Sequence, residues 1–98
     1  MSVELIGKAE VHDSVIEDVE KTKEKVVVRL RTQEGKLVEA VFLDYHMIEA
    51  ENPDGMILYS IIYKKEEKCY EFVNWDEESK NYLRIYSDKI IFNENCKP

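Results

Sequence analysis

The longest regular alternation of apolar and polar residues lies between Lys25 and Asp44, in the segment KVVVRLRTQEGKLVEAVFLD. Two runs rich in apolar residues flank a polar stretch from Thr32 to Lys36. Apolar side chains at every second position are typical of strands that bury one face. The pattern predicts a β-hairpin around which the rest of the chain is organised.

The register of this hairpin follows from its turn. Gly35 can supply the left-handed residue that closes a three-residue loop, because it has no Cβ to clash. A two-residue loop at Glu34-Gly35 would instead place Glu39 beside Leu30, since a slip of one residue exchanges the faces of a strand. The three-residue loop is preferred because it gives one wholly apolar face, with Leu30 and Phe42 in the core. Its pairs are Thr32 with Lys36, Leu30 with Val38, Val28 with Ala40, and Val26 with Phe42.

A second hairpin is expected around Asn52-Pro53-Asp54-Gly55. Pro53 presets φ for the turn, and Gly55 accepts the left-handed conformation. The same geometry pairs Ala50 with Leu58, Ile48 with Ser60, and His46 with Ile62. The opposite face would then carry Tyr45, Met47, Glu49 and Glu51 against Tyr63, Ile61, Tyr59 and Ile57.

The remaining strands are predicted from shorter runs, at Val3 to Ile6, Cys69 to Asn74, Tyr82 to Ser87, and Ile90 to Phe92. Residues 14–25 allow two interpretations. Ser14-Val15-Ile16-Glu17 matches a helical capping box, but a helix here would have little to bury beyond Val19, so a strand from Val15 to Glu20 is preferred.

Seven to eight short strands with short connections indicate an all-β fold. We expect one domain over residues 1–98, with residues 93–98 as a frayed tail. The strands are antiparallel and follow one another mostly as a meander. They form either a single curved sheet or an open barrel or sandwich.

The acidic charge of the chain favours some classes of binding partner over others. The chain of 98 residues is 44% hydrophobic and 36% charged, with a net charge of −7 and a pI of about 4.8. Nucleic acid is not expected, because phosphates select basic surfaces, whereas a basic protein is electrostatically favoured. No apolar stretch approaches the ~20 residues that span a bilayer, and MSVELIGKAE lacks signal-peptide features. A cytoplasmic protein without membrane contact is expected, with Cys69 and Cys96 as reduced, unpaired thiols.

Few residues suggest catalysis. His12-Asp13 is a combination used in acid–base chemistry, but neighbours on a strand point to opposite faces. We prefer a turn capped by Asp13 or Ser14, with His12 at the margin of a sheet. His46 is expected to be half-buried, and two histidines without a third ligand make a poor metal site. No catalytic residue, metal or cofactor is therefore expected.

Aromatic and acidic residues predict a protein-binding surface instead. Aromatic side chains are enriched at interfaces and carry much of the binding energy. A competing interpretation is that these aromatic side chains are covered by the curling sheet or fold back onto the core. The predicted binding residues are the aromatic Tyr45, Tyr59, Tyr63 and Trp75, with Glu49, Glu51, Glu77 and Glu78 as a charged margin.

One opening motif carries a resemblance to a known group. Val11 to Val19 has the pattern apolar-His-Asp-small-x-Ile-x-x-apolar and is followed by the strand Val38 to Phe42 and the run Met47 to Ala50. With Tyr70-Glu71-Phe72-Val73 and Leu83-Arg84-Ile85, this layout resembles a group of small bacterial β proteins. Some members have no assigned function, and others are immunity proteins of polymorphic toxin systems. Leu43-Asp44 stands where the group has a glycine. The resemblance implies a β fold, no catalytic residues and, for the immunity proteins, neutralisation of a toxin.

The expected function is therefore that of a non-enzymatic domain that binds a basic protein, with a toxin as the partner that the resemblance implies. The alternative is a small-molecule-binding or enzymatic β domain with a pocket around His12, His46 and the tyrosines. A third interpretation is a module that self-associates through an exposed strand edge and so forms a homo-oligomer.

Overall fold

The computed structural model describes residues 3–6, 11–76 and 78–94. Within these ranges the chain is all-β, as predicted, and contains no α-helix. The strands form two open antiparallel sheets rather than a single curved sheet. The nine strands of the described residues are β1 (Val3–Ile6), β2 (Val15–Lys21), β3 (Lys25–Arg31), β4 (Leu37–Leu43), β5 (Met47–Glu51), β6 (Leu58–Lys64), β7 (Cys69–Asn74), β8 (Tyr82–Tyr86) and β9 (Lys89–Glu94).

The four-stranded sheet has the order β2-β3-β4-β9 and is built on the central hairpin. The predicted register of β3 and β4 is confirmed, including the pair Val26 and Phe42. The Thr32 amide donates to the carbonyl of Lys36 at 2.9 Å, and Gly35 has a φ of 87°. The strand interpretation of residues 15–21 is also confirmed, with a register shift that leaves Glu17 unpaired in the ladder.

The five-stranded sheet has the order β1-β6-β7-β8-β5, so β5 and β6 do not pair and the second predicted hairpin is wrong. β5 pairs with β8 instead, and β6 lies between β1 and β7. The turn at residues 52–55 is present, with the predicted positive φ at Gly55 of 89°. However, the Gly55 amide donates to the Ile16 carbonyl at 2.7 Å and draws the connection toward β2. The result is a Greek key, in which β5 lies beside β8 of the β6-β7-β8 meander.

The two sheets pack face to face across aromatic rings. Phe42 of β4 is 0% exposed, and its ring lies edge-to-face with Tyr70 and Phe72 of β7, at centroid distances of 5.2 and 5.7 Å. Leu30 is 1% exposed, so both predicted core residues are confirmed. The core is completed by aliphatic side chains that include Ile16, Val26, Val28, Leu58, Ile61, Leu83 and Ile85.

A charged network covers part of the outer face of the four-stranded sheet. Arg29 donates to Asp18 at 2.8 Å, to Glu20 at 2.7 Å and to Glu39 at 3.1 Å. The hydrogen bond with Glu20 is the largest cause of a raised pKa for Arg29, and the Asp18 carboxylate adds to it. Because its partners lie on both neighbouring strands, Arg29 ties β2, β3 and β4 together.

The last described strand is longer than predicted. β9 continues to Glu94, beyond the expected end at Phe92. Residues 95–98, with Cys96, lie outside the described residues.

Cys69 is a buried free thiol, and burial raises its pKa. No helix in the described part of the chain is long and apolar enough to cross a membrane.

Candidate functional site

The two sheets are joined at one corner, where residues 13–16 run antiparallel to residues 56–58. The Ile16 amide donates to the Met56 carbonyl at 2.9 Å, and the Leu58 amide donates to the Ser14 carbonyl at 2.8 Å. The Asp13 amide donates back to the Leu58 carbonyl, also at 2.8 Å. This ladder fixes the turn before β2 against the start of β6.

Three rings meet on this corner, and we call His12, Tyr59 and Trp75 the corner cluster. Their centroids lie 4.9 to 5.3 Å apart in edge-to-face contacts, which aromatic pairs prefer. Tyr59 is 49% exposed and Trp75 is 45% exposed. Ile57 is 48% exposed, and its carbonyl accepts from the Trp75 amide at 3.0 Å. Three of the five large hydrophobic residues exposed among the described residues are therefore neighbours, which is typical of a binding surface.

A β-bulge places Tyr59 in this cluster. The register of β6 against β7 shifts between Leu58 and Ser60, so Tyr59 is the additional residue. Leu58 and Ile61 are both buried, although they are an odd number of residues apart. The bulge therefore turns Tyr59 outward while Leu58 and Ile61 both still reach the core.

Asp13 holds the cluster from the side. Its Oδ1 accepts from the Trp75 indole at 2.5 Å, and its Oδ2 accepts from Gln33 Nε2 at 3.3 Å. Asp13 has a φ of 67°, a left-handed conformation that aspartate tolerates better than most residues. The Asp13 carboxylate is thus directed toward the rings by a backbone conformation that few residue types adopt.

His12 is also held in place. Its Nδ1 lies 2.9 Å from the Tyr59 carbonyl oxygen, which can only accept, so Nδ1 carries a proton. Its Nε2 lies 3.7 Å from Asp13 Oδ2. The expectation that neighbours point to opposite faces is wrong here, because residues 11–13 form a turn. The predicted capped turn is confirmed, since the Ser14 hydroxyl donates to the Val11 carbonyl at 2.6 Å.

The other predicted binding residues lie elsewhere. Tyr63 faces inward and its ring lies 4.5 Å from that of Tyr70. Tyr45 packs against the core and donates its hydroxyl to the Thr22 carbonyl at 2.7 Å. The predicted common face of three tyrosines is not formed, because β5 does not pair with β6 and the bulge in β6 puts Tyr59 and Tyr63 on opposite faces. Of the predicted aromatic residues, the fold brings Tyr59 and Trp75 together.

The predicted acidic residues are also dispersed. Glu51 is exposed on β5, an edge strand of its sheet, and Glu78 is exposed in the loop after Trp75. Glu77 lies outside the described residues. Glu49 accepts from Arg84 at 3.4 Å and from the Tyr86 hydroxyl at 3.1 Å on the outer face of the five-stranded sheet. Glu49 is therefore already bonded within the sheet.

Raising the pH should remove a stabilising contribution of Tyr86. Burial, and then the bond to Glu49, raise the pKa of Tyr86 from 10.0 to about 12. Because the raised value belongs to the folded state, the contribution is complete below pH 10 and is lost as the pH rises toward 12. Over that interval, the free energy of unfolding should fall more for the wild type than for Tyr86→Phe in denaturant titrations. Parallel pH dependences for the two proteins would contradict this assignment.

The two histidines do not share a pocket. His46 is exposed, with Nε2 3.6 Å from Asp88, and its amide donates to the Tyr86 carbonyl at 2.7 Å. That places it at the start of β7, whereas His12 contacts Trp75 beyond the end of β7. The expected half-buried position of His46 is therefore wrong, and a pocket around both histidines is not formed by the described residues. The same residues contain no group of three or more His, Cys, Asp or Glu side chains placed to hold a metal ion.

Fold and site together define a two-sheet β protein with an exposed aromatic corner beside a hydrogen-bonded carboxylate. The chain was compared with models of protein families, with curated proteins and with solved structures, and none of the three comparisons gave a match.

Ile57 and Gln33 belong to this corner but were not predicted as site residues. Nothing in their local sequence marks them, because Gln33 reaches the site through its bond to Asp13 and Ile57 through its bond to Trp75, both distant in the sequence.

Proposed function

We propose that this chain is a non-enzymatic domain that binds a basic protein through the corner cluster. The observation that carries the proposal is the meeting of Ile57, Tyr59 and Trp75 at one corner, each close to half exposed. Aromatic side chains that are fixed before binding lose little freedom in a complex. A hydrogen bond to Asp13 already holds the Trp75 indole, and ring contacts with His12 and Trp75 hold Tyr59, so both rings suit the centre of an interface.

Charge supports a basic partner. The chain has a net charge of −7, and the segment 75–81 contains three acidic residues and one lysine. Asp76 and Glu78 are exposed directly after Trp75. Opposite charges across an interface accelerate association and select the partner. We propose a basic toxin domain as the partner and its neutralisation as the role, in keeping with the resemblance to immunity proteins.

Truncation of the aromatic centre should weaken such a complex most. With a cognate basic toxin domain as the partner, Trp75→Ala and Tyr59→Ala should each reduce affinity by about 30-fold, mainly through faster dissociation. Binding measurements on an immobilised partner give both the association rate and the dissociation rate. Met47→Ala is the matched control, because Met47 is 46% exposed but lies on β5. Folded Trp75 and Tyr59 variants that bind as the wild type does would refute the proposed surface.

The acidic margin should act on the association rate. Charge reversal at Glu77 and Glu78 should slow association with the same domain, and added salt should shrink the difference from the wild type. An unchanged association rate at low salt would show that these carboxylates are not part of the interface margin.

A further inference from the structure

We infer that the corner cluster receives an arginine side chain of the partner, with its guanidinium hydrogen-bonded to Asp13 and lying against the exposed rings. This inference rests on the proposed function, because it names the chemical group that the same surface binds. Three features support it: the Asp13 carboxylate lacks a lysine or arginine partner among the described residues, aromatic rings lie beside it, and its free acceptor positions match the geometry of a guanidinium.

Asp13 stands apart from the other partly buried carboxylates. Five described acidic residues are neither fully buried nor exposed: Asp13, Asp18, Glu39, Glu49 and Glu71. Asp18 and Glu39 pair with Arg29, Glu49 pairs with Arg84, and Glu71 pairs with Lys64 and Arg84. In the described part of the chain, Asp13 has no lysine or arginine within ion-pair distance. Among these residues, the only basic side chain within that distance is the imidazole of His12. A partly desolvated carboxylate of this kind favours a cation supplied from outside.

The Asp13 carboxylate can still accept further hydrogen bonds. Each of its oxygens has two lone pairs, and the bonds from Trp75 and Gln33 use one on each oxygen. One acceptor position therefore remains on Oδ1 and one on Oδ2. The Asp13 side chain is 31% exposed, so these positions can be reached from solvent. Two parallel acceptors are what a guanidinium fork binds.

The rings select the same group. Tyr59 and Trp75 cross at 87° with centroids 4.9 Å apart, and each remains close to half exposed. A cation over the face of an indole or phenol ring is attracted by its quadrupole, most strongly over tryptophan. A planar guanidinium can stack on a ring while its fork bonds a carboxylate, whereas an ammonium group acts as a point charge. The combination of Trp75, Tyr59 and Asp13 therefore favours arginine over lysine.

The chain carries its own reporter for this test. Trp75 is its single tryptophan, so intrinsic fluorescence reports on the site directly. A blocked peptide with one arginine between glycines is titrated into the full chain, beside peptides with lysine or the uncharged isostere citrulline in its place. We expect a saturable change with the arginine peptide, and binding at least about fivefold weaker with the other two peptides.

Asp13→Asn isolates the charge. Asparagine keeps the size and an oxygen that can accept from Trp75, and it tolerates the left-handed backbone. This variant should bind the arginine peptide at least about fivefold more weakly than the wild type. Asp44→Asn is the matched control and should leave binding unchanged. Asp44 also has a positive φ, of 52°, but it follows β4 at the far end of the four-stranded sheet.

The outcomes separate this inference from the proposed function. A fluorescence change that does not saturate, or equal binding of the arginine, lysine and citrulline peptides, would overturn the arginine site. If that happened while Trp75→Ala still weakened the toxin complex, the protein-binding function would stand and the arginine assignment alone would be wrong. The peptide comparison uses the wild type, so it decides the matter even if Asp13→Asn does not fold.

Discussion

Replacing Phe42 with alanine should lower the free energy of unfolding by about 3–5 kcal/mol. The ring is 0% exposed and contacts Tyr70 and Phe72 of the opposite sheet, so its removal leaves a cavity between the sheets. Urea denaturation measures the loss. Ile91→Ala on the adjacent strand β9 is the control, because Ile91 is 38% exposed and should cost less than about 1 kcal/mol.

A loss below about 1 kcal/mol for Phe42→Ala would show that the two sheets do not pack through this ring. Similar losses for Phe42→Ala and Ile91→Ala would lead to the same conclusion. A large loss at Phe42 with a small loss at Ile91 would establish which face of the four-stranded sheet is covered.

Leu58→Ala should cost about 2–5 kcal/mol, because Leu58 is 0% exposed at the corner where the sheets join. Its backbone is bonded to Ser14 and Asp13, so truncation should also loosen the turn that supports Trp75. Urea denaturation gives the cost, and a red shift of tryptophan emission in the folded protein reports the loosening.

Ile57→Ala is the neighbouring control for this second prediction. Ile57 lies beside Leu58 but is 48% exposed, so its truncation should leave stability within about 1 kcal/mol of the wild type. Equal costs at the two positions would mean that the inward and outward assignments at the start of β6 are incorrect.

The central hairpin could be predicted because its determinants are local. Gly35 fixes the turn, and the alternation on either side fixes the faces, so Val26 and Phe42 pair as expected. The turn ending in Gly55 has equally clear local signals but no hairpin follows it. Hydrogen bonds to Ser14 and Ile16, far away in the sequence, decide where that connection goes.

The candidate site was only partly predictable for the same reason. Tyr59 and Trp75 were expected in a binding surface as exposed aromatic residues, and they do lie in contact. Their contact depends on an extra residue in β6 and on the left-handed turn at Asp13, and neither leaves a periodic signal in the sequence. The expected contribution of Tyr63 failed because the bulge reverses the alternation between Tyr59 and Tyr63.

From the strand order we expect a particular sequence of events in folding. β2, β3 and β4 are joined by short turns, whereas β1 must wait for β6, and β4 remains an unpaired edge until β9 arrives. Pairing between distant segments is slow, because chain entropy is lost before contacts compensate for it. Val28 and Ala40 should therefore be structured in the rate-limiting transition state, and truncation at Val28 should slow refolding more than truncation at Ile48. Until β9 pairs, we expect β4, the strand that carries Phe42, to present an open edge to which other unfolded chains can add.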